Sequence, residues 1–120
     1  MHALLENHMA NEVFTFEQVD NTLVVVAHGD LFQSRFEDIR NGYNEIFLRL
    51  SDDGVTNLLI DFEHVQHFGS AFIGMLVKLS QKTRRGGGES MLCGLKPSMV
   101  EVLQSLMVLE NVKTDFFMVP

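Results

Sequence analysis

Ser70 is the residue from which chemistry is most readily drawn. It follows an apolar run, Leu58-Leu59-Ile60, that reads as a buried strand, and a turn at Phe68-Gly69. It precedes a segment whose apolar residues recur at helical spacing. A hydroxyl at a strand-to-helix junction has three chemical uses. As a nucleophile on a sharp elbow it needs glycine two residues to either side and a histidine later in the chain. Those positions hold Phe68 and Phe72, and the last histidine is His67, so a hydrolase is set aside and no catalytic residue is assigned. As a helix cap, the serine oxygen accepts a backbone N–H two or three residues on, worth ~1 kcal/mol. As a phosphoacceptor it would carry about −1.5 to −2 charges at a helix N-terminus, where the dipole favours anions. The fold tolerates that charge, whereas a partner matched to a neutral surface does not. Capping and phosphorylation are compatible uses of one serine.

Other reactive types are less productive. His64 and His67, with Glu63, have a loose metal spacing. On extended chain, residues three apart point to opposite faces, and a structural metal takes about four ligands. No metal site and no cofactor are expected. Gly86-Gly87-Gly88 follows a helical segment, so it reads as a helix stop and not as a phosphate loop, which precedes a helix. Cys93 is the single cysteine. It reads as a small core residue, and its lack of an internal partner suits a reducing cytosol.

The elements that must position Ser70 follow from periodicity. Residues 13–19 alternate, with Phe14 and Phe16 on the core side, and Asp20-Asn21 is a turn signal. Leu23 to Ala27 reads as a strand buried on both faces and completes a hairpin. Ser34 and Glu37 form a capping box for a helix carrying Phe36, Ile39, Tyr43, Ile46, Phe47 and Leu50, with Glu45 and Arg49 as an i,i+4 pair. Val55 to Phe62 is the third strand. After Ser70, residues Phe72, Ile73, Leu76, Val77 and Leu79 form a broad apolar face with Met75 on its flank, wide enough to predict a second covered side or an exposed contact patch. Met91 to Cys93 is a short strand, and a strand–helix–strand unit implies a parallel pair with a right-handed crossover. Pro97 opens a last helix with Met99, Val102, Leu103 and Leu106 at i, i+3, i+4 and i+7. Asp115 to Val119 is a final strand or extended tail. The order β-β-α-β-α-β-α-β predicts one α/β domain: a mixed four- to five-stranded sheet with helices mainly on one face. Residues 1–12 read as an N-terminal extension with a helical turn near Leu4-Leu5, and 13–120 as the domain.

Composition bounds the partners. The chain has 120 residues, 46% hydrophobic, with a formal charge of −7 and only 9 basic residues. That balance argues against a duplex nucleic-acid binder, which needs a basic face. No apolar run approaches ~18 residues, so no membrane span is expected. Partners are therefore expected to be proteins or small molecules.

The run from Leu58 to Glu110, LLIDFEHVQHFGSAFIGMLVKLSQKTRRGGGESMLCGLKPSMVEVLQSLMVLE, resembles the STAS domain of the anti-sigma-factor antagonists. Gly29-Asp30-Leu31 resembles that family's Gly-acidic-Leu step after the second strand, and the likeness covers about residues 13 to 112. The resemblance implies a bacterial, cytoplasmic regulatory binding protein, not an enzyme. Its partner would be an anti-sigma factor that is also a serine kinase of the histidine-kinase-like ATPase type, with a serine phosphatase to reset the switch and a homodimer as a further expectation. By motif, Ser70 is the phosphoacceptor. Asp30, Gly69, Ala71, Phe72, Ile73 and Met75 fall on the implied docking surface. Within the family's Asp-Ser-Ser-Gly-like turn, Ser70 matches in place, as does Gly74 beyond it. Gly69, Ala71 and Phe72 replace an acidic residue, a second serine and a glycine. The alternative the resemblance leaves open is a STAS scaffold or oligomeric module without phosphorylation.

Overall fold

The computed structural model describes residues 13–29, 36–52, 54–67, 69–109 and 116–119. Eight elements follow in order: β1 (Phe14–Val19), β2 (Thr22–Gly29), α1 (Phe36–Arg49), β3 (Asn57–Val65), α2 (Ser70–Arg85), β4 (Ser90–Cys93), α3 (Pro97–Leu109) and β5 (Phe116–Val119). They form one five-stranded sheet in the order β1-β2-β3-β4-β5. The hairpin β1–β2 is antiparallel and every later pairing is parallel. The expected order and the mixed sheet are observed. The N-terminal extension and Ser34 of the capping box lie outside the described residues.

Three successive crossovers advance one strand at a time in the same direction. With the usual right-handed crossover, all three helices then fall on one face. Burial agrees with that arrangement. Phe14, Phe16, Leu23, Val25, Ala27, Leu58, Ile60, Phe62 and Leu92 on the sheet form one apolar cluster with Ile39, Ile46, Phe72, Leu76, Leu79, Met99 and Leu103 on the helices. On β2 the alternate residues Val24 and Val26 are only half-buried. The expectation of burial on both faces is thus corrected: a β-branched run marks a strand, but it does not report whether helices cover its second side.

α1 lies over β1. Its Gly42 sits on the Phe14 ring, and the Arg49 guanidinium stacks over Phe16 at 4.6 Å. Glu45 and Arg49 approach to 3.9 Å, the expected i,i+4 pair. α1 meets α2 where the Lys82 ammonium stands 4.4 Å over the Phe47 ring. α2 ends in a glycine motif. Gly87 takes φ 85°, its N–H donates to the Arg84 carbonyl at 2.9 Å, and Gly88 N–H donates to that of Thr83 at 2.9 Å. These bonds satisfy carbonyls that the helix leaves open.

Candidate functional site

The site lies at the end of the sheet where the parallel strands finish. Gln66 N–H donates to the Gly29 carbonyl at 3.1 Å, tying the ends of β2 and β3 together. Lys96 Nζ donates to the Val65 carbonyl at 2.6 Å, which fixes the approach to α3 against the same edge. Between these ties the chain turns into α2.

Gly69 is the N-cap of α2, with φ −103° and ψ 175° and no side-chain cap. Its carbonyl accepts the first intrahelical bond, from Ile73 N–H at 3.2 Å. Ser70 is therefore the first residue of the helix proper, and its expected role as the N-cap is corrected. The cap falls to the glycine because the helix starts one residue earlier than a serine cap requires. No acidic residue occupies the first turn of α2, whereas α1 carries Glu37 and Asp38 there. The N-terminal end of α2 thus has neither a side-chain cap nor a carboxylate to offset its positive dipole.

The candidate docking residues divide in two. Phe72 and Ile73 are 4% and 5% exposed. Phe72 packs between Phe14, stacked at 6.1 Å, and Phe62, edge-on at 5.9 Å. The contact surface expected from Phe72 is therefore corrected: its ring fills the core beneath the turn. Met75 is partly buried against the same core. The breadth of the apolar face has its cause in a second covered side, which also takes in Ser80 and Thr83. Gly69 is half-buried and Gly74 is exposed. Ser70 and Ala71 are placed by the backbone of the first turn. Asp30 lies outside the described residues.

His64 stacks on His28 at 5.6 Å with the rings 9° from parallel, and His28 Nε2 lies 3.4 Å from Thr15 Oγ1. Among the described residues no group of three or more His, Cys, Asp or Glu side chains could hold a metal ion. Cys93 is half-buried beside Asp61 rather than in the core. Burial pushes its thiol pKa up, and the Asp61 charge, a hydrogen bond to Asp61 and the Glu63 charge push it further. Gln66, His67, Ser98, Met99 and Val102 line a recess of about 120 Å³ beside the turn, well below the ~300 Å³ of small-molecule sites. Val102, expected on the apolar face of α3, is 42% exposed at its rim.

The sequence reading passed over the outer face of α2. Gly74, Lys78, Gln81 and Arg85 are exposed along it. The available signal was the absence of any Asp or Glu between Ser70 and Arg85.

A mixed sheet with its helices on one face, and a bare helix N-terminus at the edge where the parallel strands end, describe a small α/β domain. The chain belongs to the STAS domain family, whose model matches residues 14–118. No curated protein sequence matches the chain. Among solved structures it is similar to the unphosphorylated anti-sigma factor antagonist SpoIIAA, with TM-score 0.71, 19% identity, and 89% of this chain and 87% of that chain covered. It is also similar to a variant of RsbS from Moorella thermoacetica, with TM-score 0.73, 15% identity, and 88% and 85% covered. A third similar structure is the murine anion transporter Slc26a9, with TM-score 0.65 and 16% identity, where 87% of this chain covers 17% of the transporter. At these identities the structures share the fold. Among the described residues no helix is long and apolar enough to cross a membrane.

Proposed function

We propose that the chain is an anti-sigma-factor antagonist that binds an anti-sigma factor through the start of α2 and is released by phosphorylation of Ser70. The observation that carries this reading is the state of the α2 N-terminus: Ser70 is its first residue, Gly69 supplies no side-chain cap, and no carboxylate lies in the first turn. A phosphate there adds about −1.5 to −2 charges where the helix dipole favours them. The fold accepts the modification and a docked partner meets a new charge. The phosphorylated form of SpoIIAA from Bacillus has the same fold, with TM-score 0.67, which supports the compatibility of this fold with a phosphate. The partner is an anti-sigma factor with serine-kinase activity of the histidine-kinase-like ATPase type, and a serine phosphatase restores the free form. Gly69 and Ala71 flank the phosphoacceptor and Met75 follows in the next turn; Asp30 is assigned to the partner-binding set by the family resemblance alone. Phe72 and Ile73 support it from beneath.

Incubation with the host's anti-sigma kinase and ATP, followed by intact mass measurement, tests the proposal. One added phosphate on the wild type and none on Ser70→Ala is expected, with Ser70→Glu losing affinity for the kinase. No phosphate on the wild type, or equal labelling of Ser70→Ala, overturns it.

A scaffold reading without a switch has one observation in its favour. Gly69 stands where the resemblance calls for an acidic residue before the serine. A further motive for a scaffold, an apolar surface at Phe72 and Met75, is weakened because Phe72 is buried and Met75 is partly buried against the core.

A further inference from the structure

Gly74 has no internal explanation. It lies inside α2 and is exposed, and a Cβ built on it meets nothing within 4 Å. Gly42 and Gly88 differ, since added methyl groups there would run into the Phe14 ring and the Thr56 carbonyl. A glycine in mid-helix destabilises the helix relative to alanine, and nothing within the described residues requires one at Gly74. A bare backbone on an exposed helix face suits close approach by another chain.

The surface that continues from Gly74 has a definite charge. Lys78 and Arg85 are exposed beyond it, and neither has an ion-pair partner among the described residues. Helix-dipole complementation accounts for Arg85 and Lys82 in the last turn. It does not account for Lys78, which lies near the middle of the helix. α2 contains no Asp or Glu, although the chain as a whole carries −7.

We propose that the outer face of α2, from Gly74 through Lys78 to Arg85, docks a protein partner that lays an acidic segment against the bare backbone at Gly74. The inference rests on the reading of α2 as the docking helix and specifies the partner's chemistry. A protein surface fits better than a lipid or nucleic-acid polyanion, because the remainder of this anionic chain repels an extended field of negative charge. It also gives the switch its sign. A phosphate on Ser70, one helical turn before Gly74, places negative charge beside an acidic partner, so modification repels it.

The test introduces a benzophenone side chain at Lys78 in the host's own cells, with the same group at exposed Leu48 of α1 as control. Mass spectrometry locates the cross-linked peptide. The expected adduct is an Asp- and Glu-rich segment of a different protein. With that protein purified, Gly74→Ala is expected to weaken binding at least tenfold while raising Tm by about 4 °C, and Lys78→Glu to weaken it further. These opposite movements separate a docking defect from a folding defect. An adduct with a second copy of this chain, an adduct on a segment without acidic residues, no adduct above the Leu48 level, or unchanged affinity of both variants overturns the inference. An acidic partner that passes these tests but ignores Ser70→Glu leaves the inference standing and defeats the phosphorylation switch.

Discussion

Gly42 of α1 lies against the ring of Phe14 in β1, with no room between them for a methyl group. Phe14 is fully buried, so the ring cannot swing into solvent to make space. Gly42→Ala improves helix propensity by about 1 kcal/mol, yet overpacking a filled core costs about 1–3 kcal/mol. The second effect wins, and urea denaturation should show a net loss of about 1 kcal/mol. Phe14→Leu in the same chain should recover part of that loss. A midpoint that rises in Gly42→Ala alone would mean that the helix shifts off the sheet at no cost.

Phe72 tests the division between core and surface. Its ring contacts Phe14 and Phe62 and is 4% exposed. Phe72→Leu should lower stability by about 1–2 kcal/mol through lost volume and ring contacts. Partner affinity per folded molecule should stay within twofold of wild type when read by calorimetry well below Tm. An affinity loss without a stability loss would instead put the ring on the docking surface.

How far the sequence disclosed this arrangement depends on the residue. Alternation placed Phe14 and Phe16 inward, and the 3.6-residue period placed Ile39, Ile46, Leu76 and Leu79. Both patterns report one element's own amphipathicity, which is local information. The half-open side of β2 was not legible, because Val24 and Val26 are as apolar as their buried neighbours and only the crossover direction decides which side is covered. Phe72 was misjudged for a related reason. A large ring beside a reactive serine reads as surface until Phe14 and Phe62, far away in sequence, are seen to enclose it. A cap at Ser70 lies one residue too late for the start of α2, since Ser70 is a better capping type than Gly69 and the sequence holds no competing signal.

Cys93 gives a prediction in pH. Burial raises its thiol pKa, and Asp61 and Glu63 raise it further. The folded state therefore favours the protonated thiol more than the unfolded chain does. The associated stability is fully present below the ordinary thiol value of about 9 and is lost as pH rises through the raised folded value. Thermal unfolding followed upward from pH ~9 should fall more steeply for the wild type than for Cys93→Ala, and Asp61→Asn should reduce the difference. At neutral pH the native thiol should alkylate more slowly than it does in urea, because the thiolate is the reactive species. Parallel stability curves for wild type and Cys93→Ala would remove the argument.

Gly69→Asp sets stability against binding at one position. Gly69 has φ −103° and ψ 175°, a conformation open to any residue, so aspartate introduces no backbone strain. At the N-cap its carboxylate can accept an N–H of the first turn and meets the positive end of a helix that has no acidic residue there. Together these should raise stability by about 0.5–1 kcal/mol, read as a shift in the denaturation midpoint that shrinks in high salt. The same charge stands directly before Ser70. If the partner brings an acidic segment to Gly74 and Lys78, the variant should bind more weakly than wild type at low salt, and the gap should narrow as salt screens it. Tighter binding by Gly69→Asp would mean that the partner presents cations at the start of α2, reversing the sign assigned to that end of the helix.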